Sequence, residues 1–557
     1  MRILVYIFCG IAMLGCSAAK YEKAADREVY EVIAEREGQI LGSRSLFNID
    51  TQYAKREPGS IPPGEIIRDR LTDGSRKLTL PDALGMAVAN NREYQLEREQ
   101  LYLSALQLTG TRHEFAFRVS SSSVDLGLGR ATDGALKGDS DLDVTLSRML
   151  TTGGRFSATL ANDLVLYFSG KPKVPALTLS LTQPLLRGAG AEMAAEVLTQ
   201  AERDVVYAIR DYSHYQKSFA INTVTDYFRL LQAKDSVRNS YNNYINLQKA
   251  RDRAEALAEA ERLPRYQVDQ ARQKELSARV SYLSSVESYR QYLDSFKQHL
   301  GLPLGEALRL DDSALDGLKR LGLPPLDVNA RAGYVLAIGN RLDVMNTIDR
   351  FEDSKRKVRV AANDLQPGLD ILADVQLEDE FYSSFDPGET SGSVGLKLDL
   401  PLDQLPKRNA YRSSRIHFEK ELRTLATSLD TLRDDIREGV RALEQERENY
   451  GIQQNALKLA EQRVTVMPLL LEADESDIRD QLEAQADLVS AQNALTRALV
   501  NYHVARWNLL KNLGLLDVKE DQFWLRRQNA PGVRPVPTVP ADGGLPGVDP
   551  PDKVFGN

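Results

Sequence analysis

Apolar residues along this chain keep two different periods, and the order of those periods occurs twice. From Leu80-Pro81-Asp82-Ala83-Leu84 through Asn90-Asn91-Arg92-Glu93-Tyr94 the pattern is helical. It then alternates at Phe115, Phe117, Val119, Val124, Leu126 and Leu128. A second copy opens at Val328-Asn329-Ala330, continues through Gly339-Asn340-Arg341-Leu342-Asp343, and alternates at Leu369, Ile371, Ala373 and Val375. A period of two predicts strands with two unlike faces, and self-similarity of this kind predicts a repeat architecture. Each copy has a further strand ending at proline: Leu177 to Leu186 around Thr182-Gln183-Pro184, and Val394 to Leu402 around Leu400-Pro401. Proline cannot donate to a ladder, so sheet pairing is expected to stop at Pro184 and Pro401 and helix to follow.

Each copy finishes in a long heptad-like helix closed by Leu-Gly-Leu, at Leu300-Gly301-Leu302 and Leu513-Gly514-Leu515. Leu488, Ala491, Leu495, Ala498, Tyr502, Ala505 and Leu509 step by three and four, and Tyr282, Tyr289 and Phe296 recur every seven. Such stripes predict coiled-coil packing. After Pro184 the helical pattern runs to about Glu261, roughly 110 Å at 1.5 Å per residue, before Leu263-Pro264 breaks it. The return helix, about Arg265 to Leu300, has roughly half that length. The helix from about Asn329 to Leu365 supplies the other half, so each repeat's short helix is expected to be completed by the other repeat's. Asp311 to Asp327 and the chain near Asp517 would belt that junction.

Composition narrows the class. The 557 residues are 42% apolar and carry 71 basic against 79 acidic side chains, so no excess of positive charge argues for nucleic acid. Residues 1–15 read as a signal peptide: Arg2, then an apolar run from Ile3 to Leu14 that is too short for a bilayer-spanning helix. Leu14-Gly15-Cys16-Ser17 resembles a bacterial lipobox, which would make Cys16 the acylated first residue (palmitate) of an outer-membrane lipoprotein. The alternative is an ordinary secretory signal cleaved near Ala18 or Ala19. Cys9 and Cys16 are the two cysteines, so a mature disulfide is not expected. No other apolar run reaches about 18 residues, so any membrane crossing must be a closed β-barrel. Residues 16–77, with a short helix over Asp26–Leu41 and a Pro/Gly-rich stretch at Glu57–Gly64, read as a lipid-anchored tether. Residues 78–327 form repeat one (strands about 113–183), 328–516 form repeat two (strands about 369–400), and 517–557 are a partly disordered tail.

The order of these pieces resembles the TolC family of outer-membrane efflux and secretion ducts. The most specific pieces are Thr182-Gln183-Pro184-Leu185-Leu186-Arg187-Gly188, Val268-Asp269-Gln270-Ala271-Arg272 and Arg479-Asp480-Gln481-Leu482-Glu483-Ala484-Gln485. The resemblance implies a mainly α fold with membrane β: a homotrimer whose strands share one transmembrane barrel and whose helices form a periplasmic tunnel closed at its tip. It implies a passive conduit of a tripartite efflux pump or type I secretion system, working with a periplasmic adaptor and an inner-membrane transporter of RND, ABC or MFS type, in outer-membrane lipid. The alternative is a lipoprotein coiled-coil scaffold or adaptor without a pore. One departure is two extra alternating runs, Leu142 to Leu150 and Arg155 to Phe168, joined at Thr152-Gly153-Gly154. Either the barrel is larger than the family norm or this hairpin packs elsewhere.

The resemblance places a gate at the tips, about Leu257–Asp269 and Met467–Asp480. Asp474, Glu475, Asp477 and Asp480, with Asp269 and Arg265, are the gate candidates. Steps of three put Asp474, Asp477 and Asp480 near one helical face, which in a trimer makes acidic rings. Against that, Asp474 or Ser476 can cap the restarting helix, and Asp477 or Asp480 can pair with Arg479, Arg265 or Arg272. Glu261 stands where a turn glycine is expected. Leu263, Pro264, Met467, Pro468 and Leu469 are either an adaptor-docking surface or tip packing. Phe115, Phe117, Tyr167, Phe168, Phe381, Tyr382 and Phe385 suit an aromatic girdle, or ordinary strand packing. Asp139-Ser140-Asp141-Leu142-Asp143 lacks the glycine and glutamate of a calcium loop and reads as an exposed outer loop. The five histidines are scattered, and no nucleophile–base pair, metal site or cofactor motif is visible, as expected for a non-enzyme.

Overall fold

The computed structural model describes residues 18–71, 74–121, 125–130, 136–167, 176–378, 390–473 and 475–518. The readings at Cys16, Asp474, Phe168, Phe381, Tyr382, Phe385 and 519–557 lie outside these residues. Helices α1 (Ala18–Leu41) and α2 (Pro63–Arg70) precede strand β1 (Ser75–Leu78). Repeat one then runs α3 (Leu80–Asn90), α4 (Arg92–Phe115), β2 (Arg118–Ser121), β3 (Asp125–Arg130), β4 (Leu136–Met149), β5 (Arg155–Tyr167) and β6 (Ala176–Pro184). It continues through the short α5 (Ala191–Ala194), α6 (Glu196–Glu259), α7 (Arg265–His299), β7 (Ala307–Leu310) and α8 (Ser313–Leu321). Repeat two runs α9 (Ala330–Asn340), α10 (Leu342–Asn363), β8 (Gly368–Glu378), β9 (Thr390–Asp399), α11 (Leu405–Glu472) and α12 (Ile478–Asn512). The breaks at Pro264, Asn91 and Arg341 set the helix lengths. Each is extended, with ψ of 140°, 128° and 111°, and Pro264 sits as N-cap where its missing N–H costs no bond. Among the described residues no helix is long and apolar enough to cross a membrane.

Two compact units result, and each stands on its own core. The first comprises the described residues up to Ile49, with Arg98–Tyr212 and Asp343–Ser428. Its sheet has the order β2-β4-β5-β6-β8-β9, with β3 pairing β4 beyond β2. All neighbours are antiparallel. The extra hairpin β4–β5 therefore sits inside the sheet, between β2 and β6. Asp139–Asp143 belongs to β4 rather than to an outer loop, because each of its residues pairs with β5. Phe115 ends α4 and Phe117 lies in the connector, so the strand starts at Arg118, later than the alternation implied.

The register gives the sheet two chemistries. One row across it reads Ser120, Thr145, Thr159, Thr178, Gln376, Ser391. The adjacent row, on the opposite face, reads Val119, Leu146, Ala158, Leu179, Val375, Gly392. The apolar face is exposed in the single chain at Val119, Leu160, Leu181, Val394, Leu396 and Leu398.

The same unit corrects the reading of 16–77 as a tether. α1 begins at Ala18, earlier than the expected Asp26, and is bound to the body. Val29, Val32 and Ile33, spaced by three and four, bury against Leu101, Ala105 and Leu108 of α4 and Val205 and Ile209 of α6. Tyr102 Oη donates to Asp26 at 2.8 Å. Between α6 and α10, Asp353 is 3% exposed and accepts from Tyr207 Oη at 2.6 Å. It pairs with Arg203 at 2.6 Å and Arg356 at 2.8 Å, so its charge is compensated and the pairing fixes the register of the two helices.

The second unit comprises Asp50–Glu97, Ser213–Leu342 and the described residues from Leu429. β1 pairs in parallel with β7, so the sheet begins inside the span read as tether. Here the expected exchange of short helices between repeats is overturned. Gly301, after α7, abuts Asn90 at the end of α3, and Asn91 Nδ2 donates to His299 O at 2.8 Å. Gly514, after α12, abuts Asn340 at the end of α9. Each repeat's return helix closes against its own opening helix. Both glycines take φ near +70° in Schellman caps, with Leu302 N–H donating to Lys297 O and Leu515 N–H to Leu510 O, each at 2.9 Å. The linker 311–327 packs as expected of a belt: Tyr502 Oη donates to Pro324 O at 2.7 Å, and His503 Nε2 donates to Gly322 O at 3.0 Å.

Two predictions follow from these contacts. A Cβ at Gly514 would stand 2.6 Å from the Asn340 carbonyl in a left-handed backbone, so Gly514→Ala should cost about 2 kcal/mol or more. Gly339→Ala, in the last turn of α9 in open space, should stabilise by up to about 1 kcal/mol. Thermal melts of the two variants should therefore separate in opposite directions from the parent. Burial, aided by Arg506, pushes the His503 imidazole down to about 4. The folded chain thus binds its proton later than the unfolded chain does. Stability should be full above pH about 6.5 and fall by a few kcal/mol as pH drops to about 4. His503→Gln, which keeps an amide for Gly322, should flatten that dependence in a pH series of melts.

Candidate functional site

Four helices meet at one place in the second unit. Leu247, Ala250 and Ala254 of α6, Ala271 and Ala278 of α7, and Ile478 and Leu482 of α12 form one buried cluster, with Leu263, Val268 and Leu471 packed against it. The small alanines let the helices approach, and the cluster holds the two interhelical turns. At the first turn the C-cap falls on Glu261, whose φ is +56°, the one positive-φ residue other than glycine among those described. Arg262 N–H donates to Leu257 O at 2.9 Å, closing a Schellman cap. The backbone there has the shape the glycine expectation demanded, and glutamate bears the steric cost.

The second turn shows what its acidic residues do locally. Asp477 is the N-cap of α12. Its N–H donates to Asp480 Oδ2 at 3.5 Å, and its Oδ1 accepts from Gln267 Nε2 at the same distance. Asp477 and Asp480 are thus joined at a helix start, where their charge also complements the dipole. Glu475 is exposed, its N–H spent on Leu470 O at 2.9 Å. Asp269 and Arg265 are exposed on the first turns of α7. Arg272, expected beside the acidic tip, pairs instead with Glu255 at 3.1 Å.

A charged cluster that sequence reasoning missed ties α6 to α7 above the turn. Arg251 pairs with Glu275 at 2.7 Å, and Glu275 is buried. The spacing within each helix held no sign of it, because the partners lie across the hairpin. Gln267 Oε1 and Ser476 Oγ are buried with no hydrogen-bond partner among the described residues. Of the docking candidates, Leu263 is half-buried in the cluster and Pro264 is exposed. Met467, Pro468 and Leu469 do not form the turn. They lie inside α11, which continues through Pro468 to Glu472, with Leu469 exposed.

In the first unit, Gln183 sits at the strand-to-helix junction and holds two turns together. Its Nε2 donates to Thr152 O at 3.2 Å and to Pro184 O at 2.9 Å, and its Oε1 accepts from Thr152 Oγ1 at 3.0 Å. A Cβ at Gly154 would lie 2.4 Å from that Oε1, and one at Gly153 2.5 Å from Gly188 O. The two glycines therefore permit the docking. Pro184 does not end the ladder as expected. It pairs with Asp370, and Leu185 N–H donates to Leu369 O at 2.8 Å. Successive N–H groups alternate sides, so the one proline lacks would have faced β5 beyond its last pairing at Arg155. Pro401, by contrast, lies two residues past the end of β9. Phe117 is exposed with the Arg148 guanidinium 4.8 Å from its ring centre.

With this geometry in view, likeness to known proteins can be placed. The family model described as outer membrane efflux protein matches residues 333–515. No curated protein matches the chain by sequence. Among solved structures, the CmeC outer-membrane channel of Campylobacter jejuni is 15% identical and has a TM-score of 0.55, covering 78% of this chain and 85% of its own. VceC of Vibrio cholerae is also 15% identical at 0.55, over 78% and 96%. The open-state MtrE channel of Neisseria gonorrhoeae is 13% identical at 0.55, over 78% and 89%. The fold is that of the outer-membrane efflux channels, and the match over residues 333–515 falls in repeat two, in line with the resemblance to the TolC family.

The turn makes its own prediction. Glu261→Gly should remove the left-handed penalty and stabilise the α6–α7 tip by about 1 kcal/mol. Slower hydrogen exchange across 255–268, with the rest of the chain unchanged, is the expected measurement.

Proposed function

We propose that this chain is the outer-membrane channel of a tripartite efflux pump or type I secretion system, a passive conduit that carries out no chemistry. The observation that carries this reading is the sheet of the first unit. One face is hydroxyl-rich and the other apolar, which is the division a membrane barrel needs between lumen and lipid. A scaffold without a pore has no use for such a sheet. A single sheet with open edges is not viable in lipid, so the barrel is pooled by a homotrimer.

The helices offer a matching seam. Ile452, Leu459 and Val466 of α11 recur every seven residues and are exposed, as are Leu276, Val280 and Leu283 of α7. Exposed heptad stripes fit the flank of a neighbouring copy. Asp474, Glu475, Asp477, Asp480, Asp269 and Arg265 are proposed to ring the periplasmic constriction. Leu263, Pro264 and Leu469, with Met467 and Pro468 behind them, are proposed to meet the adaptor, which couples the duct to an inner-membrane transporter of RND, ABC or MFS type. Phe117, with Phe115 and Tyr167, marks the membrane interface. Acylated Cys16 anchors the mature chain in the outer membrane.

In planar bilayers the purified protein should give discrete channels. Asp477→Asn keeps an N-cap acceptor while removing charge, so a change in open probability or cation selectivity would report the gate rather than the fold. An unaltered channel would remove Asp477 from the gate, and a soluble monomer without conductance would overturn the conduit. Leu459→Glu should convert the trimer to folded monomer in native electrophoresis.

A further inference from the structure

The β4–β5 hairpin is part of the wall, and we infer that each protomer contributes six strand positions to the barrel, so that the trimer closes a pore of roughly eighteen strands. This rests on the channel reading above. Topology is the first argument. The hairpin lies between β2 and β6, paired along thirteen residues to itself and along seven to β6. β2 and β3 occupy one position in series along β4. Expelling the hairpin would strip β6 of its β5 partner and leave each protomer four strands.

Face parity is the second argument. Val144, Leu146, Phe156, Ala158 and Leu160 continue the apolar face of β6 and β8. Thr145, Ser147, Ser157 and Thr159 continue the hydroxyl face, with Thr145 and Thr159 Oγ1 atoms 3.0 Å apart. A hairpin packed outside the barrel would have no reason to keep this division. Anchorage is the third. The hairpin's turn is fixed to the strand-to-helix junction by Gln183, and Gly190 N–H donates to Thr152 O at 3.1 Å. An even strand number also makes the closing seam antiparallel. β2 and β9 run in opposite senses, so β9 of one copy meets β2–β3 of the next in the pairing used throughout the sheet.

At a strand spacing of about 4.8 Å and a tilt of about 40°, eighteen strands give a backbone diameter of roughly 36 Å, against roughly 24 Å for twelve. The wider wall leaves room for a folded hydrophilic cargo, or for a bulky polar chain, past a polar face that carries Arg118, Arg155, Asp370, Asp374 and Lys397 beside its hydroxyls. The barrel is then not the size-selecting step.

The test is electron cryomicroscopy of the full mature chain in lipid nanodiscs, with disulfide trapping as a second measurement. A trimer with about eighteen wall strands is expected. A trimer with about twelve overturns this inference and leaves the channel reading intact, whereas no trimeric barrel overturns both. For trapping, Val119→Cys on β2 is paired with Val394→Cys, Leu396→Cys or Leu398→Cys on β9. One of these registers should give covalent trimers under oxidation. Cross-linking of Val119→Cys to Leu181→Cys on β6, with none to β9, would place the hairpin outside the wall.

Discussion

Every backbone amide in a sheet that faces lipid must find a partner, and on the channel reading this requirement governs the chain more than any side chain does. The sheet of the first unit pairs five seams internally and leaves two edges, β2–β3 and β9. No helix of the described chain covers either edge with backbone groups, and water is absent where the apolar face must lie. In the proposed channel the edges therefore meet edges of other copies. On that reading, oligomerisation is a condition for the strands to lie in a membrane. The same reading gives the exposed heptad stripes of α7 and α11 a partner in neighbouring copies.

The helical part solves a different problem, that of stopping long helices without leaving their carbonyls unsatisfied. α7 and α12 end in glycine caps that abut the extended breaks after Asn90 and Asn340. The cap and the contact use the same residue, since a Cβ would both strain the left-handed backbone and strike the asparagine. At the opposite ends the chain is less economical. Glu261 takes the same backbone shape without the glycine, and Asp477 and Asp480 of the second turn are engaged in starting α12. A gate built from Asp477 and Asp480 would draw on carboxylates that also hold a helix end, so opening and local order are coupled there.

Legibility in the sequence followed the range of each interaction. Helix bounds near Glu261, Arg265, Leu300 and Leu365 came within a few residues, because periodicity and proline are local signals. The two-faced strands were visible for the same reason. Partner choice was not. The wrong pairing of short helices between repeats came from adding lengths, whereas Asn91 and His299 settle it through a contact 208 residues apart in sequence. α1 was read as tether because its apolar stripe is short, and its burial depends on Leu101, Leu108 and Val205 elsewhere. Pro184 was read as a terminator because its missing N–H matters only if it faces a neighbour, and that depends on strand order. The Arg251–Glu275 pair was hidden for the same cause.

The two copies of the repeat are thus alike in their helices and unequal in what their strands are asked to do. Among the described residues repeat two contributes β8 and β9 to the sheet, and its junction to α11 is tied across to repeat one by Arg187 and Asp399 at 2.6 Å. Repeat one must seat an additional hairpin, and it does so at the strand-to-helix junction with one glutamine and two glycines. The Thr152-Gly153-Gly154 turn has no room for side chains at its glycines, while Gln183 offers donors and an acceptor to the turn's own backbone and hydroxyl. A hairpin inserted into a repeat would otherwise leave the Thr152 carbonyl and hydroxyl of its turn without these partners. The junction motif supplies their partners, which is why the same residues that turn a strand into a helix also hold the widened wall.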